Sequence, residues 1–551
     1  MTKLRFLLMG FLAVFAIVII RLFFIQVLFP DAQQDYLSTR KLIPQRGRLF
    51  DRNGQPLVMN QLLYRLFFEP KLIKDAEKTT YSLAKLLDLE EASISSKINP
   101  SKNWVAVTTG VTKEQKDAIV KLNLPGMGFD DMWNRYYPDA SLAAHLSGFV
   151  GKNDEGTDVG RSGVEGFYNK DLSGLPGLIR SDVDLQGKPI FLGTQERIDA
   201  EDGRDLYLTI DKSVQKIVKD KLVMGMQKYE AKEGCAIIAD PNTLEILALS
   251  CIPDYDPTTY FDFSNAAFRD TAISDLYEPG STFKPLVMAA GIEKGVIKPD
   301  TKFNEDGPVK IGEYTIQTWN NQYEGNITLT RALEKSSNVG MVFVGSKLGK
   351  NNLYDAIQMF GFGSLTGIDL EGEVPGYLKK KSDWYPIDYA TATFGQGIVV
   401  TPIQMIRAFS SIINGGKLMR PYVVKELHGE EIQKVEPQVI RRVISEKTSD
   451  AMKKMLLATI ENGETKYLKP KGYQIGGKTG TAQIALEGRY DATKTIASFI
   501  GFSPIKHPQF IGLVVLKEPK SSQWGSETAA PVFFEIAKEL IVYYNIAPEQ
   551  L

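Results

Sequence analysis

With 551 residues, 65 basic against 66 acidic side chains and a net charge of −1, the chain has the length of two or three domains and lacks the charge excess of a nucleic-acid surface. Its three histidines (His145, His428, His507) and two cysteines (Cys235, Cys251) leave little from which to build a Ser-His-Asp triad, a zinc hydrolase or a disulfide scaffold. No metal or cofactor motif occurs.

Residues 1–5 form a short basic tail, and Phe6 to Phe29 are almost continuously apolar, interrupted by polar side chains only at Arg21 and Gln26. A run of this length crosses a bilayer as one helix, and Lys3 and Arg5 in front of it predict a cytoplasmic N-terminus with the rest of the chain outside. A cleaved signal peptide has a shorter apolar region followed by small residues. Here the run continues into Leu28, Phe29, Pro30 and Asp31 without an Ala-x-Ala site, so a retained single-pass anchor in the cytoplasmic (inner) membrane is expected. Arg21 either reaches for headgroups or meets the helices of another membrane protein.

From residue 33 to about 200 short strand-like runs alternate with turns and two amphipathic helices, Asp75 to Leu89 and Thr112 to Leu122. Asn53-Gly54 is a hairpin turn signal. None of this stretch assembles a nucleophile, a metal site or a phosphate loop, and it reads as a mixed α/β pedestal with an internal Arg/Asp/Glu network. From about 205 to 551 the texture changes. Leu206–Ile210 reads as a strand, Lys212–Tyr229 as a long helix, and Cys235–Ala239 with Leu244–Leu249 as a hairpin. Helices follow around Ser281 and over Thr328–Lys335 and Val339–Leu348, then strands Ile496–Phe502 and Phe510–Leu516 and a helix from Ala530 to Tyr544. Strands at both ends with helices between them predict an α+β domain, an antiparallel sheet carrying helices. The two cysteines, both in apolar strand-like runs, are expected as buried thiols, with a bridge between neighbouring strands as the alternative.

Three short motifs lie in this second part. In Tyr277-Glu278-Pro279-Gly280-Ser281-Thr282-Phe283-Lys284, the Pro-Gly pair delivers Ser281 to the first turn of a helix, and the i, i+3 spacing puts Lys284 on the same face. A lysine desolvated beside other cations can be neutral enough to take a serine proton. Alone the pair marks nothing, since Ser-x-x-Lys recurs at Ser38, Ser82, Ser213 and Ser503. Downstream, however, come Ser336-Ser337-Asn338 and a single Lys478-Thr479-Gly480, continued by Thr481. Pro285 after Lys284 requires Ser281 to sit within the first turn, where a missing backbone N–H costs little. Gly476, Gly477 and Gly480 would let a strand edge approach an extended ligand closely.

In that order the three motifs are the signature of the penicillin-interacting serine acyltransferases. The sequence resembles a class B penicillin-binding protein, a membrane-anchored peptidoglycan D,D-transpeptidase, over nearly its whole length. Arg46-Gly47-Arg48-Leu49-Phe50-Asp51-Arg52-Asn53-Gly54, Arg135-Tyr136-Tyr137-Pro138, Gly163-Val164-Glu165-Gly166 and Thr393 to Gln404 carry the likeness outside the motifs. The resemblance implies a transpeptidase fold, an antiparallel sheet with helices and an all-helical subdomain, behind a pedestal of the dimerisation type and one transmembrane helix. It implies that Ser281 attacks the carbonyl between the two terminal D-alanines of a stem peptide and that Lys284 takes the serine proton. Ser336 and Asn338 would relay a proton to the leaving amine and hold the peptide amide. Lys478 would keep Lys284 neutral and draw the substrate carboxylate, which Thr479 and Thr481 would bind beside Gly480, and the N–H groups of Ser281 and Thr481 would form the oxyanion hole. β-lactams are the implied inhibitors, and a polytopic glycan polymerase of the SEDS type the implied partner, met through span and pedestal. No Glu-x-x-Leu-Asn lies between Asn338 and Lys478, so a deacylating glutamate of the β-lactamase kind is not evident. A D,D-carboxypeptidase and a catalytically silent scaffold stay open. Asp275 to Gly280 resembles the division branch, with the elongation branch as the alternative.

Overall fold

The computed structural model describes residues 2–28, 37–154, 156–182, 190, 195–486 and 489–549. The expected end of the span at Phe29 and start of the pedestal at Gln33 lie outside the described residues. Two compact units emerge, Met1–Gln45 with Gly174–Gly203 and Arg46–Ser173 with Arg204–Leu551. In the first, helix Thr2–Phe23 continues as a π-helical turn, Phe24–Leu28. Its stretch Leu4–Phe23 has a mean hydropathy of 2.7 and is not buried, long and apolar enough to cross a membrane. The same unit holds a three-stranded antiparallel sheet, Leu37–Leu42, Gly177–Asp182 and Gln195–Ile198.

In the second unit the Asn53-Gly54 signal is realised as a turn between Leu49–Phe50 and Pro56–Phe68, with Asp51 Oδ1 accepting from the N–H groups of Asn53 and Gln55, each at 2.8 Å. The two amphipathic helices form as Ala76–Leu87 and Lys113–Lys121. Asp75 caps the first; Thr112 and Gln115 close a capping box on the second, so residues at the predicted starts satisfy the orphan N–H groups. The expected charge network is centred on Glu165, whose side chain is fully buried: Arg46 Nε donates to it at 2.6 Å and Arg135 Nε at 2.7 Å. Strand Asp205–Leu208 runs parallel to Leu49–Phe50 and antiparallel to Val424–His428, so one sheet joins residues from both sides of position 205.

The sheet that positions the chemistry is five-stranded and wholly antiparallel, in the order Ile246–Ile252, Glu233–Ala239, Phe510–Lys517, Arg489–Ser503, Gly476–Leu486. Side chains alternate faces along each strand. In Phe510–Lys517, Ile511 and Leu513 enter one core while Phe510, Val514 and Leu516 enter the other. Helices Lys212–Tyr229 and Ala529–Tyr543 cover the second core through Val214, Val218, Leu222, Phe533 and Phe534. The first core is packed by helices Lys284–Glu293, Asn338–Met359 and Pro402–Ser411. Both faces being covered, Glu233–Ala239, Ile246–Ile252 and Phe510–Lys517 read as near-continuous apolar runs.

One expectation is corrected. Cys235 and Cys251 are not free thiols: they sit directly opposite in antiparallel register, Cα atoms 4.0 Å apart, and are joined by a disulfide. The helix expected over Val339–Leu348 ends there as read: Gly349, with φ 73° and ψ 159°, is non-helical, and a second helical stretch runs on to Met359.

Candidate active site

The nucleophile candidate lies on a single 3-10 turn, Gly280–Phe283, from which helix Lys284–Glu293 departs. Pro285 occupies the first helical turn, where no intrahelical bond is lost. The turn is held from two sides. Gly280 N–H donates to Gly395 O at 3.0 Å, and the Thr282 hydroxyl donates to Pro279 O at 2.7 Å. Gly280 has φ 54° and packs on the backbone of Thr481, so the turn and the edge strand meet where a side chain would intrude.

Lys284 is fully buried and its Nζ donates to Ser336 O at 2.6 Å, Asn338 Oδ1 at 2.8 Å and Ser336 Oγ at 3.1 Å. Among the described residues it is bonded to these two and not to the Ser281 hydroxyl. Burial pushes the Lys284 amine well below the ordinary lysine range, and the charge of Lys478 pushes the same way against the opposing pull of Glu305 and Glu464. The Ser336–Asn338 stretch bridges helices Leu329–Glu334 and Asn338–Met359. Ser336 takes a left-handed φ of 58°, which turns both its carbonyl and its hydroxyl toward one amine. Ser337 caps the following helix by accepting from Gly340 N–H at 2.9 Å and donates to the buried Glu305 carboxylate. Glu305 also takes Lys335 Nζ at 2.7 Å, so a buried ion pair underlies the loop. Asn338 Nδ2 donates to Gln317 O at 3.0 Å, fixing its amide.

On edge strand Gly476–Leu486, period two sorts the third motif. Thr479 and Thr481 face the cleft, whereas Lys478, only 3 % exposed, lines an adjoining recess with Ser336, Thr459 and Glu464. Burial lowers the Lys478 amine to about 8, Glu464 resisting. Lys478 Nζ bonds Thr479 O and Oγ1, each at 3.1 Å, and Thr481 Oγ1 accepts from Gly525 N–H at 3.0 Å. Gly480 is required by space: a Cβ there would stand 2.4 Å from Ser498 Oγ and 2.8 Å from Thr282 Cγ2.

The structure thus brings Ser281, Ser336, Asn338, Thr479 and Thr481 to one cleft of about 600 Å³, with Lys284 beneath and Lys478 beside it. That volume suits the end of a peptide. Sequence reasoning missed Glu464, Trp319 and Trp524, which also line it. The indoles stand 5.2 Å apart by ring centroids. Their only signal was being two of five tryptophans, and Glu464 had none. Among the described residues no group of three His, Cys, Asp or Glu is arranged to hold a metal.

A family model described as the penicillin binding protein transpeptidase domain matches residues 234–538, and one described as the penicillin-binding protein dimerisation domain matches 41–208. The chain is similar to stage V sporulation protein D of Bacillus subtilis, at 32 % identity over 100 % of this chain and 86 % of that protein. It is also similar to the peptidoglycan D,D-transpeptidase FtsI of Escherichia coli, at 31 % identity over 96 % and 90 %. Among solved structures, penicillin binding protein 2X from Streptococcus thermophilus superposes with a TM-score of 0.80 at 22 % identity, covering 92 % of this chain and 80 % of that one. A peptidoglycan synthetase from Bifidobacterium adolescentis superposes with a TM-score of 0.76 at 28 % identity, covering 94 % and 98 %.

Proposed function

The chain belongs to the class B penicillin-binding proteins, and from that premise we propose how its cleft performs peptidoglycan D,D-transpeptidation. Ser281 Oγ attacks the carbonyl between the terminal D-alanines, forming an acyl-enzyme and releasing D-alanine; a penicillin acylates the same oxygen. Lys284 is the base. A neutral amine has two hydrogens and one lone pair. Bonds to Ser336 O and Asn338 Oδ1 use the hydrogens, and the lone pair accepts from a hydroxyl, that of Ser336 at 3.1 Å before substrate enters and that of Ser281 afterwards. Rotation of the Ser281 side chain as substrate enters closes the Lys284–Ser281 hydrogen bond, as such bonds often tighten only on binding. Ser336, in contact with the amine, passes the proton to the leaving nitrogen. Lys478 supplies positive charge, Thr479 and Thr481 hold the terminal carboxylate, and the peptide lies along the Gly476–Leu486 edge as an added strand. The N–H groups of Ser281 and Thr481 take the oxyanion.

The observation that carries this reading is the convergence on one cleft of three segments spread from residue 281 to residue 481, with a buried lysine between two of them. Incubation with a fluorescent penicillin tests it: the wild type is labelled and Ser281→Ala is not. Equal labelling of the two would sink it.

The helix Thr2–Phe23 acts as a single-pass anchor in the cytoplasmic membrane with the N-terminus inside. The Cys235–Cys251 disulfide supports a catalytic part outside the cytoplasm, where such bonds persist. The division branch is favoured by the likeness to FtsI, and a polytopic SEDS-type glycan polymerase is the partner met through the span and the pedestal, 33–200, behind the transpeptidase domain, 205–551.

A further inference from the structure

Glu464 sits between helix Glu446–Glu461 and the edge strand, and its side chain lines both the main cleft and the recess that holds Lys478. It is exposed, and among the described residues it makes no hydrogen bond or ion pair. Among the described residues no other lining residue of the main cleft is a carboxylate. Glu334, also on the recess, is already engaged by Arg331 Nη1 at 3.1 Å and Asn462 Nδ2 at 2.8 Å. A free carboxylate is a poor fit to the donor half of the reaction. It repels the incoming chain end, and it stabilises the charged forms of Lys284 and Lys478. What it suits is a cation entering the same cleft. The second substrate of a transpeptidase is one: an alkyl amine, almost wholly an ammonium at neutral pH.

Building on the transpeptidase reading, we infer that Glu464 is the acceptor subsite, a carboxylate that binds the ammonium of the incoming strand and holds its nitrogen near the acyl carbon on Ser281. Of the three ammonium protons, one leaves to solvent. A second passes by way of Lys284 to Ser281 Oγ as the new C–N bond forms and the acyl C–O bond breaks. The third remains on the amide product.

The test uses the full-length protein in detergent, a stem-peptide donor ending in D-Ala-D-Ala, and three acceptors at pH 7.5. Glycinamide is an acceptor whose cationic form binds, and hydroxylamine is uncharged. Glu464→Gln should raise the KM for D-lysine, a stronger cation included as a third acceptor, about tenfold, with a smaller rise for glycinamide and a change of no more than twofold for hydroxylamine. The kcat at saturating D-lysine should fall by less than the KM rises. Glu464→Asp, which keeps the charge, should retain the preference for D-lysine over hydroxylamine and guards against a Gln variant that folds poorly. Equal KM changes for charged and uncharged acceptors would overturn the subsite, as would a loss confined to hydrolysis of the acyl-enzyme, which makes Glu464 a water-activating base. Penicillin labelling of wild type and Ser281→Ala reports separately on the acylation reading, so failure of that reading is distinguishable from failure of this one.

Discussion

Gly395→Ala probes the support of the nucleophile without touching a group that reacts. Gly395 has φ 78°, accepts the Gly280 N–H, and would bring a Cβ to 2.2 Å from Gly280 O and 2.8 Å from both Gly280 N and Phe283 Cβ. Real contacts of this kind essentially never fall below 3.0 Å, and the obstacle is mostly backbone. One of the two segments must therefore retreat by roughly 1 Å, which at a catalytic group costs about 10²-fold in rate. A left-handed alanine adds about 1–2 kcal/mol of strain. Gly397→Ala is the control: its φ is 75°, but its Cβ would meet only Thr391 Oγ1, at 3.3 Å. It should lose similar stability and keep most of its acylation. Stopped-flow acylation with a chromogenic penicillin, beside thermal melts, separates the two effects. If Gly395→Ala acylates within threefold of Gly397→Ala, the turn is not held in place as described.

Acylation should rise with pH as Lys284 sheds its proton, at a pH well below the usual lysine range, and fall above about 8 as Lys478 loses the charge that draws the carboxylate. In Lys478→Met the rising limb should move to higher pH, because the like charge that helped empty Lys284 is gone, and the falling limb should vanish; a pH–rate profile of penicillin acylation checks both. The same Lys478 shift has a stability consequence. Its folded value lies below the 10.5 of the unfolded chain, so the unfolded state binds more protons in between, and the Lys478 contribution to the unfolding free energy should climb from pH 8 to 10.5 by about 3 kcal/mol and be flat below; denaturant melts across that range in wild type and Lys478→Met give the difference. Glu165→Gln leaves Arg46 and Arg135, with side chains 11 % and 7 % exposed, without a counter-charge and should cost about 3–5 kcal/mol, read from denaturant midpoints. Glu305→Gln removes the buried partner of Lys335 and Ser337, and should both lower the melting temperature and shift the rising limb of the acylation profile to lower pH, since Glu305 favours the charged form of Lys284.

Features set by local chemistry were readable in advance. Thr112 with Gln115, Asn53-Gly54 and the Pro-Gly before Ser281 each specify a cap or turn within a few residues, and the structure has a helix start or turn at each. The α+β class followed from the order of runs. The cysteine pairing was not readable, because opposition of Cys235 and Cys251 depends on a register that slips between Ile238 and Ala239. The stop at Leu348 was readable, because Gly349 closes the apolar pattern and takes a φ of 73° and ψ of 159° that breaks the helix before Met359. Glu464 lay in a connection without periodicity, and only the folded chain brings it beside Lys478. The division of labour within the third motif, Thr479 and Thr481 to the cleft and Lys478 to the recess, follows from strand alternation once the strand is known to be an edge.

Asp205–Leu208 is hydrogen-bonded to a pedestal strand on one side and to Val424–His428 on the other, and helix Lys212–Tyr229 begins four residues further on. Tension applied to the pedestal is thus taken up as shear along a ladder, which resists, and not as a swing about a loose tether. The ladder hands the force directly to a helix lying flat on the catalytic sheet. A displacement of that pedestal strand would in this way be felt as a change of packing on Glu233–Ala239 and Ile246–Ile252, at the edge of the sheet away from the cleft.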